Sequence, residues 1–202
     1  MTTRIVLATR NEHKIVEVRR IFEKAKLDVD LVGEDHFADL PDIPETGATF
    51  AANALIKARA VCEHTGLPAI ADDSGIVIDA LNGMPGVLSA RWAGRPKDDW
   101  RNLQLVLDQL EDVPDARRSA AFHCAAALVL PDGTERVVEG TVDGSIIRAP
   151  RGDHGFGYDP IFLPVGFRQT TAELLPEQKD AISHRGRAMR ALVPVIRDVI
   201  PD

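Results

Sequence analysis

Two consecutive acids, Asp72 and Asp73, interrupt a mostly apolar segment that runs from Pro68 to Leu81. Neighbouring side chains of a strand point to opposite faces, so one carboxylate of the pair should face an apolar surface or a cleft. Because a buried carboxylate without a partner is costly, such an acid requires a metal ion, a cation or a ligand. The alternative is a strand that ends at a Ser-Gly turn with both acids in solvent.

Glu45 supplies a further carboxylate that can act together with the acid pair. It lies on a proline-containing acidic loop just before the second long predicted helix. Mg²⁺ prefers hard oxygen ligands, keeps part of its water shell and joins carboxylates to substrate phosphates. These acids are therefore candidates for a magnesium site that works on a phosphorylated ligand.

The segment from Thr9 to Lys14 joins the first predicted strand to the first predicted helix. A helix N-terminus carries unpaired backbone N–H groups and the positive end of the helix dipole, and both suit a phosphate. Thr9 and Asn11 can cap that end, and Lys14 in the first turn can reach the same anion. A plain helix cap with a solvated lysine explains these residues equally well.

A glycine-rich loop and the start of the last predicted helix carry groups that suit a planar base. The loop segment Phe156-Gly157-Tyr158-Asp159-Pro160 offers aromatic rings for stacking. Lys179 and the segment Ser183-His184-Arg185 add hydrogen-bond donors. Taken singly, the loop is also explained by a turn with two core aromatics, and the helix start by a capping serine with two surface cations.

Several common active-site motifs are absent from the sequence. It contains no GxxxxGK[ST] phosphate loop, no HExxH zinc motif and no GxSxG nucleophile motif. The two cysteines, Cys62 and Cys124, lie inside predicted regular elements. Their placement favours reduced core thiols over a disulfide or a metal site.

Composition limits the possible partners of this chain. It has 202 residues with 24 Lys and Arg against 31 Asp and Glu, a formal net charge of −7, and 45% hydrophobic residues. We expect one domain over residues 1–202. The acidic balance argues against a nucleic-acid polymer bound along a basic face, but not against a small phosphorylated ligand. No segment is typical of a signal peptide or spanning helix, so we expect no membrane partner and a cytoplasmic location.

The elements that must position these residues alternate between strands and helices in the first half of the chain. Strands are predicted at residues 4–8, 28–32, 68–81, 120–130 and 136–147. Helices are predicted at 11–26, 50–63, 98–110, and from 183 or 185 to 199. An Asp132-Gly133 hairpin turn should join the last two strands, and Pro194 should bend or break the last helix. The pattern indicates an α/β fold with a mixed sheet.

The motifs, taken together and in order, match a known family. They are Thr9-x-Asn11-x-x-Lys14, Glu45-Thr46-Gly47, Ala71-Asp72-Asp73-Ser74-Gly75, Pro85-Gly86 with Ser89-Ala90-Arg91-Trp92, Phe156-Gly157-Tyr158-Asp159-Pro160 and Ser183-His184-Arg185-Gly186. The chain resembles the inosine/xanthosine triphosphate pyrophosphatases from its first strand to its last helix. The resemblance implies a long mixed central sheet with two α/β lobes, an active-site cleft between them, and a homodimer.

The resemblance also implies a reaction. The family hydrolyses non-standard purine (deoxy)nucleoside triphosphates (dITP, ITP, XTP) to the monophosphate and pyrophosphate with Mg²⁺, which cleanses the nucleotide pool. By motif, Asp73 would be the general base that activates water against the α-phosphorus. Glu45 and Asp73 would hold the metal, with Asp72 in support.

Substrate contacts follow from the same resemblance. The residues expected to grip the phosphates are Thr9, Arg10, Asn11, Glu12, His13, Lys14, Ser74 and Lys179. The residues expected to hold the purine are Phe156, Gly157, Tyr158, Asp159, His184 and Arg185. Donors from His184, Arg185 or a backbone N–H would accept a 6-oxo purine and disfavour adenine, whose 6-amino group is itself a donor.

Two points stay open at this stage. Arg10 occupies a position that is often small in the family, so its cation either strengthens phosphate binding or points to solvent. Two rival functions also remain: a pyrophosphatase for pyrimidine or modified nucleoside triphosphates, and a nucleotide-binding sensor without hydrolysis. The presence of Glu45, Asp72 and Asp73 favours the enzyme over the sensor.

Overall fold

The computed structural model describes residues 3–37 and 39–200, apart from the side chain of His13. Its strands are β1 (Thr3–Leu7), β2 (Val29–Gly33), β3 (Ala69–Ile78), β4 (Ser119–Val129), β5 (Glu135–Ile146) and β6 (Phe162–Pro164). Its helices are α1 (Glu12–Lys24), α2 (Phe50–Thr65), α3 (Asp99–Gln109), α4 (Pro176–Ile182) and α5 (His184–Val199). The alternation of strands and helices confirms the predicted α/β class. Within the described ranges, no helix is both long and apolar enough to cross a membrane.

The six strands form one mixed sheet in the order β2-β1-β3-β4-β5-β6. Strand β1 pairs in parallel with β2 and with β3, whereas β6 runs antiparallel to β5. A short connection at residues 130–134 joins the neighbouring strands β4 and β5, and within it the Leu130 amide donates to the Thr134 carbonyl at 2.9 Å. Since parallel neighbours need a long crossover, this connection confirms the hairpin predicted at Asp132-Gly133.

The chain divides into two compact units, each assembled from separate stretches of sequence. The first unit contains the residues up to 73, residues 124–140 and the residues from 185 onward. The second unit contains residues 74–123 and 141–184. The acid pair therefore belongs to the first unit, and the loop around Phe156 belongs to the second.

In the first unit, helices cover both faces of the sheet. Ile5 and Leu7 of β1 pack in one apolar cluster with α1 and α5, through residues that include Phe22 and Leu192. Val6, the residue between them, packs in a second cluster with α2. Because successive strand side chains point to opposite faces, α1 and α5 lie on one face and α2 on the other. This arrangement brings the first turn of α1 and of α5 close to β3.

In the second unit, α3 packs on an apolar cluster that joins residues of β3, β4, β5 and β6. Leu103 and Val106 of the helix, and Leu110 just after it, belong to a core that contains Ile76 of β3 and Phe162 of β6. The same core includes residues of the loop that precedes β6. The loop is thus fixed to the body of this unit by apolar burial.

Strand β3 runs without interruption through the acid pair. Ser74 and Gly75 lie inside the strand, and the chain turns only later, in a short 3₁₀ helix at Asp79–Leu81. Asp72 and Asp73 are 1% and 7% exposed. The alternative of a strand end with two solvated acids is therefore wrong.

The last helix differs from its prediction at Pro194. Of the bend or break predicted there, the break is absent, since α5 continues from His184 to Val199 with Pro194 inside it. Pro194 lies on the exposed side, while Leu192 and Ile196 are buried on either side of it. The burial of these residues offsets the loss of one helical hydrogen bond.

The apolar periodicity of the sequence does not predict two short elements that the structure contains. Strand β6 has 3 residues and helix α4 has 7, which is too few for an apolar repeat to be recognised. Both lie between the glycine-rich loop and α5, so this part of the second unit is more regular than the sequence predicts.

Candidate active site

Asp72 is the centre of a buried ionic cluster in the first unit. Its Oδ2 accepts hydrogen bonds from Lys14 Nζ at 3.0 Å and from Arg185 Nε at 3.1 Å. The Nη1 of Arg185 donates in turn to Glu17 Oε2 at 2.7 Å. Two acids and two cations therefore balance each other within the protein, as buried charges must. The cluster fixes the first turns of α1 and α5 to strand β3.

The cluster holds Asp72 as an anion. Burial alone raises the pKa of this carboxyl, but Lys14, Arg185 and Lys57 outweigh it and bring the pKa well below its ordinary value. The Oδ1 of Asp72 is buried and accepts no hydrogen bond from the part of the chain that the structure describes. Asp72 therefore orients cations and does not exchange a proton near neutral pH.

Asp73 lies in a different environment, although it is the next residue. Its Oδ2 accepts a hydrogen bond from Asn53 Nδ2 at 2.9 Å, and its Oδ1 lies 3.8 Å from Lys57 Nζ. Burial, the largest influence, raises the pKa of Asp73 above its ordinary value, although Lys57 and Asn53 act in the opposite direction. A buried acid with a raised pKa is suited to accept a proton.

Lys57 is a functional candidate that the sequence analysis missed. Its Nζ donates to Glu45 Oε1 at 2.8 Å and to the backbone carbonyl of Asp72 at 2.7 Å. Burial lowers the pKa of Lys57, but the charges of Asp72, Asp73 and Glu45 together raise it by more. The pKa therefore lies above its ordinary value, and the side chain stays an ammonium. The one available signal was its spacing of four from Asn53, which places both polar side chains on one face of α2.

Glu45 and Asp73 fit the donor set expected for Mg²⁺. Both carboxylates come within ion-pair distance of Lys57 Nζ, so two elements bring oxygen donors to one cation. No cluster of three or more His, Cys, Asp or Glu residues suited to a metal occurs among the described residues. Magnesium commonly uses only one or two carboxylates and completes its shell with water and phosphate oxygens, so this donor set suffices.

The start of α1 is capped as the sequence predicts. Thr9 Oγ1 accepts from the Asn11 amide at 3.1 Å, and Asn11 Oδ1 accepts from the Lys14 amide at 3.4 Å. The alternative of a solvated lysine is wrong, because the Lys14 ammonium pairs with the buried Asp72. The helix therefore presents its N-terminus together with a fixed cation.

Three neighbouring residues of the same motif lie differently. Arg10 donates to Asp42 Oδ1 at 2.7 Å and to the Leu40 carbonyl at 2.9 Å, and it lies 3.1 Å from Glu34. Its cation thus binds the acidic loop that follows β2. Glu12 is exposed on the first turn of α1. The His13 side chain lies outside the described part of the structure.

In the second unit, Asp159 organises the glycine-rich loop. Its Oδ2 accepts from the Phe156 amide at 2.9 Å and from Lys179 Nζ at 2.6 Å, and its Oδ1 accepts from Thr171 Oγ1 at 2.8 Å. The Lys179 ammonium also lies 5.2 Å from the centroid of the Phe156 ring. A cation–π contact at this distance helps to fix the ring. The sequence predicts that Lys179 contacts the phosphates. Its described contacts are instead with the loop that is expected to hold the base.

The other residues expected to hold the base are largely buried. The Tyr158 ring is 5% exposed, and its hydroxyl donates to the Ser89 carbonyl at 2.8 Å. His184 is buried and stacks on Phe122, with ring centroids 4.7 Å apart and planes 10° apart. Phe156 is the half-buried aromatic of the loop and therefore presents ring surface.

The described contacts arrange the candidate residues in two groups. Lys14, Glu45, Asp72, Asp73 and Arg185 form one group in the first unit, to which the structure adds Glu17, Asn53 and Lys57. Phe156, Asp159 and Lys179 form a group in the second unit, where Gly157 and Tyr158 continue the same loop. Ser74 directly follows Asp73 on β3 and is half-buried.

Both cysteines are buried and free. The Cys124 sulfur lies 4.0 Å from Asp72 Oδ2. Burial, strengthened by the Asp72 charge, raises the pKa of the Cys124 thiol far above its ordinary value. Its thiolate form is therefore disfavoured. The burial of both free cysteines agrees with the prediction of core thiols.

Comparison with known proteins identifies the family. Residues 5–195 match the Ham1 family. The chain is 60% identical to the dITP/XTP pyrophosphatase of Streptomyces coelicolor over 98% of this chain and 99% of that protein. The chain belongs to the Ham1 family, and the resemblance seen in its motifs is confirmed.

Two solved structures support the same assignment. The crystal structure of a nucleoside-triphosphatase (dITP/XTP pyrophosphatase) from Mycobacterium abscessus is 56% identical and covers 95% of this chain and 100% of its own, with a TM-score of 0.78. The structure of a HAM1 protein from Coxiella burnetii is 44% identical and covers 98% and 100%, with a TM-score of 0.89. Both are similar to this chain over nearly its full length.

Proposed function

We infer that this protein is a nucleoside triphosphate pyrophosphohydrolase that converts dITP and XTP to the monophosphate and pyrophosphate. The observation that carries this inference is the different pairing of two adjacent buried acids: Asp72 contacts two cations, whereas Asp73 contacts Asn53 and lies 3.8 Å from Lys57. Asp72 is held ionised by Lys14 and Arg185, whereas the pKa of Asp73 is raised. Paired carboxylates whose pKa values are pushed apart are typical of sites that divide electrostatic and acid–base roles.

Asp73 is the proposed general base. One of its carboxylate oxygens takes a proton from water, and the water oxygen forms a bond to the α-phosphorus. The bond between the α-phosphorus and the α–β bridging oxygen breaks, and its electron pair leaves with pyrophosphate. Asn53 holds the carboxylate in place by its 2.9 Å hydrogen bond. General base catalysis of this kind contributes about 10²- to 10⁴-fold to a rate.

Cations near the N-terminus of α1 are proposed to receive the phosphates. Lys14 is oriented by Asp72 and lies in the first turn of α1, where the N-terminal end of a helix favours an anion. Thr9 and Asn11 fix that turn. Because negative charge grows on the leaving pyrophosphate, fixed cations there stabilise the transition state more than the substrate.

Glu45 and Asp73 are the residues proposed to hold Mg²⁺. When bound, the ion would neutralise phosphate charge and polarise the reacting phosphoryl group. Lys57 contacts both carboxylates and limits their mutual repulsion in its absence.

The proposed base contacts are Phe156 and His184 of the second unit and Arg185 of the first unit. Phe156 offers a ring for stacking, and Lys179 and Asp159 fix its orientation. His184 and Arg185 are proposed to donate a hydrogen bond to the 6-oxo group of hypoxanthine or xanthine. In adenine the same donor would face the 6-amino group, which is itself a donor. A site built on such a hydrogen bond can discriminate by about 10⁴-fold.

Several expectations from the sequence stay predictions. They are the single domain over residues 1–202, the active-site cleft between two lobes, the homodimer, the cytoplasmic location, and phosphate contacts from Arg10, Glu12, His13, Ser74 and Lys179. We propose that the main role of Arg10 is to hold the acidic loop after β2, because its described hydrogen bonds go to Asp42 and Leu40.

The proposed function is tested by pyrophosphate release from a panel of triphosphates. The panel contains dITP, ITP and XTP beside ATP, GTP, dTTP and UTP, each with Mg²⁺ and with EDTA. We expect metal-dependent release that is largely confined to the inosine and xanthosine substrates. Equal release across the panel, a preference for pyrimidines, or binding without release would each contradict the proposal.

A further inference from the structure

Three consecutive residues of the glycine-rich loop are anchored by three different partners in the second unit. The Phe156 amide donates to Asp159 Oδ2 at 2.9 Å, and the Tyr158 hydroxyl donates to a backbone carbonyl at 2.8 Å. Between them, the Gly157 amide donates to Asp99 Oδ2 at 3.0 Å. Asp99 is the first residue of α3 and lies 58 positions away in sequence. This charged hydrogen bond links the loop to α3, as the Lys179–Asp159 pair links it to α4.

Asp99 is not needed to cap its own helix. The N-cap of α3 is Asp98, whose Oδ1 accepts from the Arg101 amide at 3.0 Å. A helix start needs one such cap, so a second acid at the next position has no capping role to explain it. The Asp99 carboxylate points instead to the loop. The two adjacent acids thus perform different tasks.

Gly157 has a backbone that needs this kind of support. Its φ is +61°, in the left-handed region that favours glycine. A Cβ placed on it would meet no atom within 4 Å, so the residue borders open space. Because glycine is flexible and lacks a side chain to pack, its position depends on the hydrogen bond that its amide makes.

The charge of Asp99 also reaches the next residue. Burial, with a smaller effect of the Asp99 carboxylate, raises the pKa of Tyr158 above its ordinary value. The phenol therefore stays protonated and continues to donate to the Ser89 carbonyl. The direct support that Asp99 gives to the loop is its hydrogen bond from the Gly157 amide.

We propose that Asp99 is a positioning residue for the nucleobase: by holding the Gly157 amide, it fixes the backbone that presents Phe156. This inference rests on the proposed function, in which Phe156 stacks on the base. It assigns to α3 a part in base recognition that none of the sequence motifs contains.

Kinetics of three variants test the proposal. In Asp99→Ala, KM for dITP should rise about 3- to 10-fold with kcat nearly unchanged, the range expected for one hydrogen bond in partly solvated surroundings. Asp99→Asn should restore KM, because its amide oxygen can accept the same bond. Asp98→Ala is the matched control: it loses the helix cap and some thermal stability, but should keep the wild-type KM.

Product inhibition separates base contacts from phosphate contacts. Inhibition by dIMP should weaken in Asp99→Ala by the same factor as KM rises, whereas inhibition by pyrophosphate should be unchanged. The proposal is overturned if Asp99→Ala keeps the wild-type KM, if Asp98→Ala shows the same rise, or if pyrophosphate inhibition weakens equally.

A measurement without substrate makes the test independent of the activity. Hydrogen exchange of the Gly157 amide should be faster in Asp99→Ala than in the wild type and in Asp98→Ala. Unchanged exchange would show that the hydrogen bond between the Gly157 amide and Asp99 is absent in solution, and it would overturn the proposal. If the wild-type protein released no pyrophosphate from dITP, the proposed function would fail. The exchange measurement would still show whether Asp99 holds the Gly157 amide.

Discussion

Asp72 and Asp73 follow each other on strand β3 and are both buried, yet the pKa of Asp72 lies below its ordinary value and that of Asp73 lies above it. The difference arises from their partners. Lys14 and Arg185 contact Asp72 at 3.0 and 3.1 Å, whereas the ion pair of Asp73 with Lys57 is longer, at 3.8 Å. One acid therefore serves as a fixed charge and the other as a proton acceptor.

The first prediction concerns the pH dependence of kcat/KM. A general base works only when it is deprotonated, so activity should fall as acidification through the pKa of Asp73 protonates it. Because the Lys57 ammonium lowers that pKa, Lys57→Gln should move the acidic limb of the profile to higher pH. A pH–rate series for the two proteins measures this, and Lys97→Gln, an exposed substitution, serves as the control. A limb that stays in place, or moves to lower pH, would contradict the assignment.

The second prediction compares two ion pairs of similar length. Glu17 Oε2 accepts from Arg185 at 2.7 Å in a buried setting, and Glu135 accepts from Arg59 at 2.6 and 2.7 Å at the surface. Removal of one partner of a buried pair costs about 3 kcal/mol or more, whereas an exposed pair contributes up to about 1 kcal/mol.

Urea unfolding at neutral pH measures both losses. Glu17→Gln should lower the free energy of unfolding by about 3 kcal/mol, and Glu135→Gln by less than about 1 kcal/mol. Equal losses for the two variants would show that the Glu17–Arg185 pair does not hold the cluster together.

The third prediction concerns the metal. Glu45→Gln removes one proposed ligand, so a higher Mg²⁺ concentration should be required for half-maximal activity, with little change in stability. A titration of activity with Mg²⁺ measures this, and Glu63→Gln, which alters an exposed residue of α2, is the control. The same Mg²⁺ requirement in wild type and Glu45→Gln would remove Glu45 from the proposed site.

The sequence predicts the fold where elements are long and their apolar residues periodic. Strand β1 and helices α1 and α3 lie within about two residues of their predicted bounds, because each buries a regular set of side chains. Strand β6 has no such repeat, and its three residues are held by pairing with β5. The continuity of α5 through Pro194 likewise depends on packing that the local sequence does not reveal.

The candidate site could be predicted only in part for a similar reason. Asp72 and Asp73 stand out because acids are unusual in a buried strand. Their partners do not, because the contact of Asp72 with Arg185 joins residues 113 positions apart. Glu17 and Lys57 occur on helices where charged residues are ordinary, and only the fold shows that they point inward.

The central claim, that Asp73 is the base, is tested most directly by pyrophosphate release from dITP in Asp73→Asn. The amide keeps the size of the side chain but cannot take a proton from water, so turnover should fall about 10²- to 10⁴-fold. The fold raises the pKa of Asp73, so the ionised carboxylate destabilises the folded protein at pH values above that pKa. Asp73→Asn removes this charge, and the variant should therefore unfold at the same or a higher temperature. Nucleotide affinity should remain within a few-fold, and the exposed Asp28→Asn should behave as wild type. Near-wild-type turnover in Asp73→Asn would contradict the account.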